Sequence, residues 1–223
     1  MPRMSTLRRY ALGAMLLCLT PSAWTAEPMP PPLTREEAVH ALRAAESATR
    51  RIAAMRLERL GTMADVPALL SALHDPDDLV RSLAQNAVWA VWGRSGNERI
   101  DQLMENGKRQ MAEGRLTESI ETFSSVIRLA PDYAEAWNKR ATAWFLAGDL
   151  DASAADCDQV LTLNPAHFGA LSGYGMIETG RGNMERALAF YEQALDINPN
   201  LPGIRAAVGD LRRAIAGRAR GRI

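Results

Sequence analysis

The sequence predicts an all-α protein, a solenoid of antiparallel helix pairs, and three observations carry that expectation. Pro131, Pro165 and Pro199 recur every 34 residues, closing the phrases Leu-Ala-Pro, Leu-Asn-Pro and Ile-Asn-Pro. Gly114, Gly148 and Gly182 recur with the same spacing, each between two apolar runs of helical period. Large and small residues also alternate in register through all three copies. A fixed period of roughly 20–50 residues marks a repeat architecture, in which each unit buries its apolar face only on its neighbours.

Counting each repeat from Ile100, Ala134 and Phe168, the fourth column holds Leu103, Trp137 and Leu171, and the eighth holds Gly107, Ala141 and Gly175. The glycines at 114, 148 and 182 supply the positive φ that ends one helix before the next begins. Behind them run Leu116, Leu150, Met184; Ser119, Ser153, Ala187; Phe123, Cys157, Tyr191; Val126, Val160, Ala194; and Leu129, Leu163, Ile197. Small residues opposite large ones let two helix axes approach to about 8–10 Å. The pattern resembles the tetratricopeptide repeat over 100–201, as repeats 100–133, 134–167 and 168–201, and the resemblance implies a right-handed solenoid. Residues 202–223 follow as a capping helix and an arginine-rich tail, with Ile204, Val208, Leu211 and Ile215 on one helical face. Arg212, Arg213, Arg218, Arg220 and Arg222 suit a helix C-terminus, and weak contact with anionic surfaces is a secondary expectation.

Residues 34–99 are helical in pattern but carry no 34-residue period. Ala38–Leu60 has apolar residues at helical spacing, Asp65-Val66-Pro67 has the form of a capped helix start, and His74–Asp77 is a turn leading into Asp78–Trp92. Val66-Pro67-Ala68-Leu69-Leu70, with Leu73, Asp75, Val80-Arg81 and Ala84, resembles a HEAT-type repeat. Such helices are expected to stack at the N-terminal end of the array, making one curved rod.

Ahead of them, Arg3, Arg8 and Arg9 precede the apolar run Ala11–Leu19 and then small residues, the layout of a signal peptide over 1–26. The run is shorter than the roughly 20 residues of a membrane span, and Met15-Leu16-Leu17 before Cys18 lacks the small residue a lipid-modified cysteine needs. A proline-rich linker, 27–33, follows. The expected mature chain is exported, periplasmic and soluble, without a membrane span. Residues 1–26 hold three arginines and no acid, so cleavage leaves 23 basic against 26 acidic residues, a net charge of −3. That balance offers nucleic acid no general attraction. Cys157 is then the last cysteine and cannot form an internal disulfide.

The resemblance implies a binding groove on the concave side, lined by first-helix columns: Met104, Lys108, Met111, Asn138, Thr142, Phe145, Ser172, Met176 and Thr179. Methionines and an aromatic make an adaptable apolar surface, and Asn, Thr and Ser can hydrogen-bond a peptide backbone. Arg140 and Asp156, in the seventh and twenty-third columns of the middle repeat, are expected to form a structural ion pair, as in chaperone-binding tetratricopeptide domains. The carboxylate clamp of those domains is not expected, because its columns hold Met104, Lys108, Lys139, Gly169 and Gly173. The glycine-rich opening of repeat three, His167 to Gly175, asks for a close approach by a neighbouring element, since each helical glycine costs about 1 kcal/mol against alanine.

His40, His74 and His167 have no partners at metal-ligand spacing, and Asp75, Asp77 and Asp78 suit helix capping. Cys157 occupies a core column. No cofactor, metal or catalytic constellation is expected. The function these readings favour is a protein-interaction adaptor or assembly factor of the cell envelope, taking a protein or peptide partner. The rival is a small-ligand or glycan-binding envelope protein using Trp89, Trp92, Trp137 and Trp144 as stacking platforms.

Overall fold

The computed structural model describes residues 32–220; the expected signal peptide, most of the linker and Arg222 lie outside the described residues. The described chain is helical: α1 (Arg35–Ala41), α2 (Ser47–Leu60), α3 (Val66–Ala72), α4 (Asp78–Trp92), α5 (Glu98–Ala112), α6 (Leu116–Leu129), α7 (Ala134–Leu146), α8 (Leu150–Leu163), α9 (Phe168–Gly180), α10 (Met184–Ile197) and α11 (Pro202–Arg220). Helices α5/α6, α7/α8 and α9/α10 form three antiparallel pairs.

The small column of each first helix meets the large column of its second helix. A Cβ on Gly107 would stand 2.5 Å from the Phe123 ring, and one on Gly175 would fall inside the Tyr191 ring's contact distance. In the middle pair the small position gains a methyl, Ala141, and the large position shrinks to Cys157; both are buried in one cluster with Tyr174 and Ile177. A second contact ties the same helices: Ser119 Oγ donates to the Gly107 carbonyl at 3.0 Å, and Ser153 Oγ to the Ala141 carbonyl at 2.8 Å. The glycines between paired helices have φ of 74° at Gly114, 85° at Gly148 and 77° at Gly182. The next residue's N–H then returns to close the helix, from Arg115 to Gln110, Asp149 to Trp144 and Asn183 to Glu178, at 2.9–3.0 Å.

One inter-helix position is filled in two ways. In the middle pair Arg140 donates to both oxygens of Asp156, at 2.8 and 2.7 Å, and to Ser124 Oγ, with its guanidinium 4.9 Å from the Trp137 ring. In the third pair the corresponding residues, Tyr174 and Phe190, stack with centroids 4.5 Å apart. The ion pair thus stands in the columns that hold an aromatic pair one repeat later. At the C-terminus Ile204, Val208 and Leu211 of α11 pack on Ala187, Tyr191 and Leu188 of α10, and Arg212 pairs with Glu192.

Helices α1–α4 make a small bundle tied by Arg–Asp pairs: Arg35 with Asp65, Arg50 with Asp75 and Arg51 with Asp77. Asp65 does not cap α3 as its sequence context suggests. Its carboxylate accepts from Thr62 N–H and Arg35, bracing the 3₁₀ turn Met63–Asp65. Asp77 does cap α4, accepting from Leu79 and Val80 N–H.

The bundle does not extend the solenoid as a rod. Helix α4 lies instead along the connections that enter α9 and α11. Arg81 Nε donates to Asn200 Oδ1 at 2.8 Å, Asn200 Nδ2 to the Leu73 carbonyl at 2.7 Å, and Asn198 Nδ2 to Gln85 Oε1 at 2.8 Å. Further along α4, Trp89 and Trp92 meet Phe168, each with centroids 5.0 Å away, and Trp92 stacks on His167 at 4.3 Å. One apolar core therefore runs from α1–α4 into Phe168, Leu171 and Ala194 of the third pair. The reason is area: an indole buries about 150–250 Å² when it finds a fitting surface, and α9 offers one where Gly169 lacks a side chain.

The small-against-large contact has a direct check. Cys157→Phe should overpack against the Ala141 methyl and cost about 1–3 kcal/mol, whereas Cys157→Phe with Ala141→Gly restores the Gly107/Phe123 arrangement and should recover most of the loss. Denaturant unfolding of the four variants in the cycle measures this. Equal losses with and without Ala141→Gly would contradict the pairing of these columns.

Candidate functional site

The inner stripe of the solenoid is built from α5, α7 and α9, and the nine residues expected there separate by column. In the fifth column Met104 is only 2% exposed, packed with Ile100 and Phe123 in the first pair's core. Asn138 is buried too and donates to Glu135 Oε2 at 2.9 Å. Both expectations need correcting: this column faces the helix behind it, and only Ser172 remains half-buried. In the twelfth column Phe145 packs against the cluster of Ala141, Cys157, Tyr174 and Ile177, so its ring is largely core, while Met111 is half-buried and Thr179 exposed. The ninth column stays open in every repeat: Lys108 half-buried beside Glu105, Thr142 exposed, and Met176 44% exposed.

The hydroxyls of this stripe are already donors. Thr142 donates to the Asn138 carbonyl at 2.9 Å, Ser172 to Phe168 at 2.7 Å and Thr179 to Gly175 at 2.7 Å. Each bond returns one turn along its own helix, leaving oxygen lone pairs that can accept from a peptide N–H but no proton to donate.

One end of the stripe is occupied by the protein itself. A Cβ on Gly169 would stand 2.6 Å from Trp89 Cη2, so the indole sits where a side chain would project. Lys139, one repeat earlier on the same helical face, lies 5.7 Å from the Trp89 ring. The close approach that the glycine-rich opening of α9 asks for is thus made by α4. Gly175 answers to Tyr191 and Gly173 to Cys157 Sγ, 3.5 Å from where its Cβ would be.

Beside Trp92 lies a buried polar group that sequence reasoning passed over. Glu135 accepts from Asn138, from Lys139 Nζ at 2.9 Å and from His167 Nε2 at 3.2 Å. His167 Nδ1 accepts from Ala170 N–H at 3.1 Å, so the ring proton rests on Nε2, facing Glu135. Burial alone would raise the Glu135 carboxyl, but His167 and Lys139 outweigh it and hold it down to about 2. The signal that could have found this group is positional: a glutamate at the second residue of α7 with a lysine four residues on and a histidine 32 residues on, just before the next first helix. Cys157 is inert by contrast, since burial, then Asp156 and Asp158, push its thiol up to about 12. No helix among the described residues is long and apolar enough to cross a membrane.

Comparison with known proteins bears on this architecture. The sequence profile of the tetratricopeptide repeat matches residues 104–167 and 154–202. A TPR repeat-containing protein of Rhizobium etli is 33% identical over 196 residues, covering 88% of this chain and 90% of the relative. The Hsp70-Hsp90 organizing protein of Triticum aestivum is 28% identical over 116 residues, 52% of this chain but only 20% of that protein. Among solved structures, the Sgt2 TPR domain from Aspergillus fumigatus superposes with a TM-score of 0.54 at 20% identity, covering 57% of this chain and 85% of that one. The first TPR domain of Spaghetti (RPAP3), bound to an HSP90 peptide, gives 0.51 at 23% identity, covering 52% and 93%. At these identities the two structures share the fold.

The Glu135 group makes stability depend on pH with a definite sign. Its folded value lies below its ordinary 4.5, so its contribution is complete above about pH 5 and disappears as pH falls toward 2. The advantage of wild type over Glu135→Gln, read by urea unfolding, should shrink by about 3 kcal/mol between pH 5 and pH 2. A difference that does not change with pH would contradict an ionised, buried Glu135.

Proposed function

The chain belongs to the tetratricopeptide-repeat family, and we propose that it is a protein-interaction adaptor or assembly factor that takes a peptide segment of a partner along the ninth-column stripe. The observation that carries this reading is that, of the three expected groove columns, the ninth is the most open, with Thr142 and Met176 exposed and Lys108 half-buried one repeat apart. Met111, Ser172 and Thr179 flank it. A methionine side chain adapts to varied partners, and hydroxyls that can only accept suit the N–H groups of an extended backbone.

Relatives in this fold include a domain bound to an HSP90 peptide and a protein named for organising Hsp70 and Hsp90. The mode proposed here differs from a carboxylate clamp. Met104 is buried, Lys139 is engaged by Glu135 and Trp89, and the place at Gly169 is filled by the Trp89 indole. The arrangement of arginines and apolar residues over 1–26 supports an envelope location. The rival in which indole faces serve as glycan-stacking platforms draws less support, because the rings of Trp89 and Trp92 are packed on Phe168 and His167.

Photo-crosslinking tests the stripe. A benzophenone amino acid at position 108, 142 or 176 should give the same partner adduct, and none at the exposed α8 and α10 positions 159 and 193. The combined Lys108→Glu, Thr142→Glu, Met176→Glu variant should lose the adduct while its stability moves by no more than about 0.5 kcal/mol per site. Adducts formed equally from 159 and 193, or surviving the triple substitution, would refute the proposal.

A further inference from the structure

Between the α1–α4 bundle and the connections entering α7 and α9 lies a cavity of about 240 Å³. Its lining has one unusual property. The buried polar side-chain atoms that lack a hydrogen-bond partner, among the described residues, are Trp92 Nε1, Tyr133 Oη and Asn164 Nδ2, and all three residues line this cavity. Trp92 is 3% exposed and Asn164 9%. A buried donor left unpaired is costly, so three around one cavity point to an occupant that accepts hydrogen bonds.

Repeat symmetry sharpens the point. Asn164 and Asn198 occupy the same column one repeat apart, and Asn198 Nδ2 reaches Gln85 on α4. Helix α4 has ended at Trp92 by the time the chain passes Asn164, so the equivalent amide faces the cavity with no protein partner.

The remaining lining defines the occupant's charge. Asp132 and Glu135 bring carboxylates, and burial, then Glu135, Asp101 and Glu105, push the Tyr133 hydroxyl above the ordinary phenol range. An anion would meet that negative field. The one cationic side chain in the lining, Arg94, gives its guanidinium to the carbonyls of Glu58, Arg59 and Gly61. A cation would suit the carboxylates but leave three donors unanswered. Several hydroxyl groups on one molecule satisfy both, their oxygens sharing the three donors while their protons go to the carboxylates. The volume lies below the roughly 300–1,000 Å³ of drug-sized sites, which admits one ring and not a chain of them. Met63 and Leu163, both exposed apolar side chains, connect the lining to solvent.

We infer that this junction cavity is a binding site for a small neutral polyhydroxylated ring, of the size of a monosaccharide or cyclitol, held by Trp92 Nε1, Tyr133 Oη and Asn164 Nδ2. The site is separate from the ninth-column stripe and does not depend on it.

The test uses the full chain with glucose, N-acetylglucosamine and myo-inositol as neutral probes, glucuronate as anion and glucosamine as cation, read by calorimetry and saturation-transfer NMR. At least one neutral ring should bind saturably, and both charged probes more weakly. Tyr133→Phe removes an unpaired hydroxyl and no volume, so it should fold with an unchanged or higher melting temperature yet weaken the neutral ring by about tenfold. Asn164→Leu should do likewise. The triple stripe variant should bind the ring like wild type, so failure of the stripe reading leaves this result standing. No saturable binding of any neutral probe, which would mean a cavity holding water alone, overturns the proposal. So does a preference for glucuronate or glucosamine, or an affinity indifferent to both Tyr133→Phe and Asn164→Leu.

Discussion

At three of this protein's helix contacts, one partner has no side chain. Gly107 admits the Phe123 ring, Gly175 the Tyr191 ring and Gly169 the indole of Trp89. Each glycine weakens its own helix by about 1 kcal/mol, and each admits an aromatic side chain whose burial offsets that cost. The first two contacts fix the spacing within helix pairs. The third does something else, because it joins a bundle outside the repeat array to the array's inner face.

That junction decides what the concave surface can offer. With Trp89 seated over Gly169 and Lys139, the end of the stripe nearest the repeat boundaries is closed, and the ninth column, a turn or more away, remains open. The same fold-back brings Trp92 against His167 and leaves a polar cavity beside it. The two candidate binding regions thus follow from one packing choice: a stripe left uncovered by α4, and a gap left beyond its last turn. Glu135 and His167 stand between them, fixing the α7 and α9 starts to each other through a buried ionised contact.

The repeat array was legible because its signals are local and recur. A glycine at positive φ, a small residue facing a large one and a proline after the second helix each read in one dimension, and three copies remove coincidence. The Arg140 and Asp156 pair was legible through its columns in the middle repeat and their resemblance to chaperone-binding tetratricopeptide domains. What the sequence hid was long-range. The bond from Asn198 to Gln85 spans 113 residues, and no periodicity links α4 to α9, so the bundle was expected to extend a rod. The groove columns were misjudged for a subtler reason. Residues three or four apart share a helical face, but only the crossing angle of the paired helices decides whether Met104 and Asn138 turn toward solvent or toward the neighbour, and that angle is not written in one helix.

The central claim is that Gly169 is a glycine because Trp89 occupies its side-chain space, and the coupling between these two positions tests it most directly. In a double-mutant cycle of Gly169→Ala and Trp89→Ala, followed by denaturant unfolding, Gly169→Ala should cost about 1–3 kcal/mol more with Trp89 present than with it removed. The same cost in both backgrounds would show that the indole does not rest on Gly169, and that α4 does not close that end of the stripe.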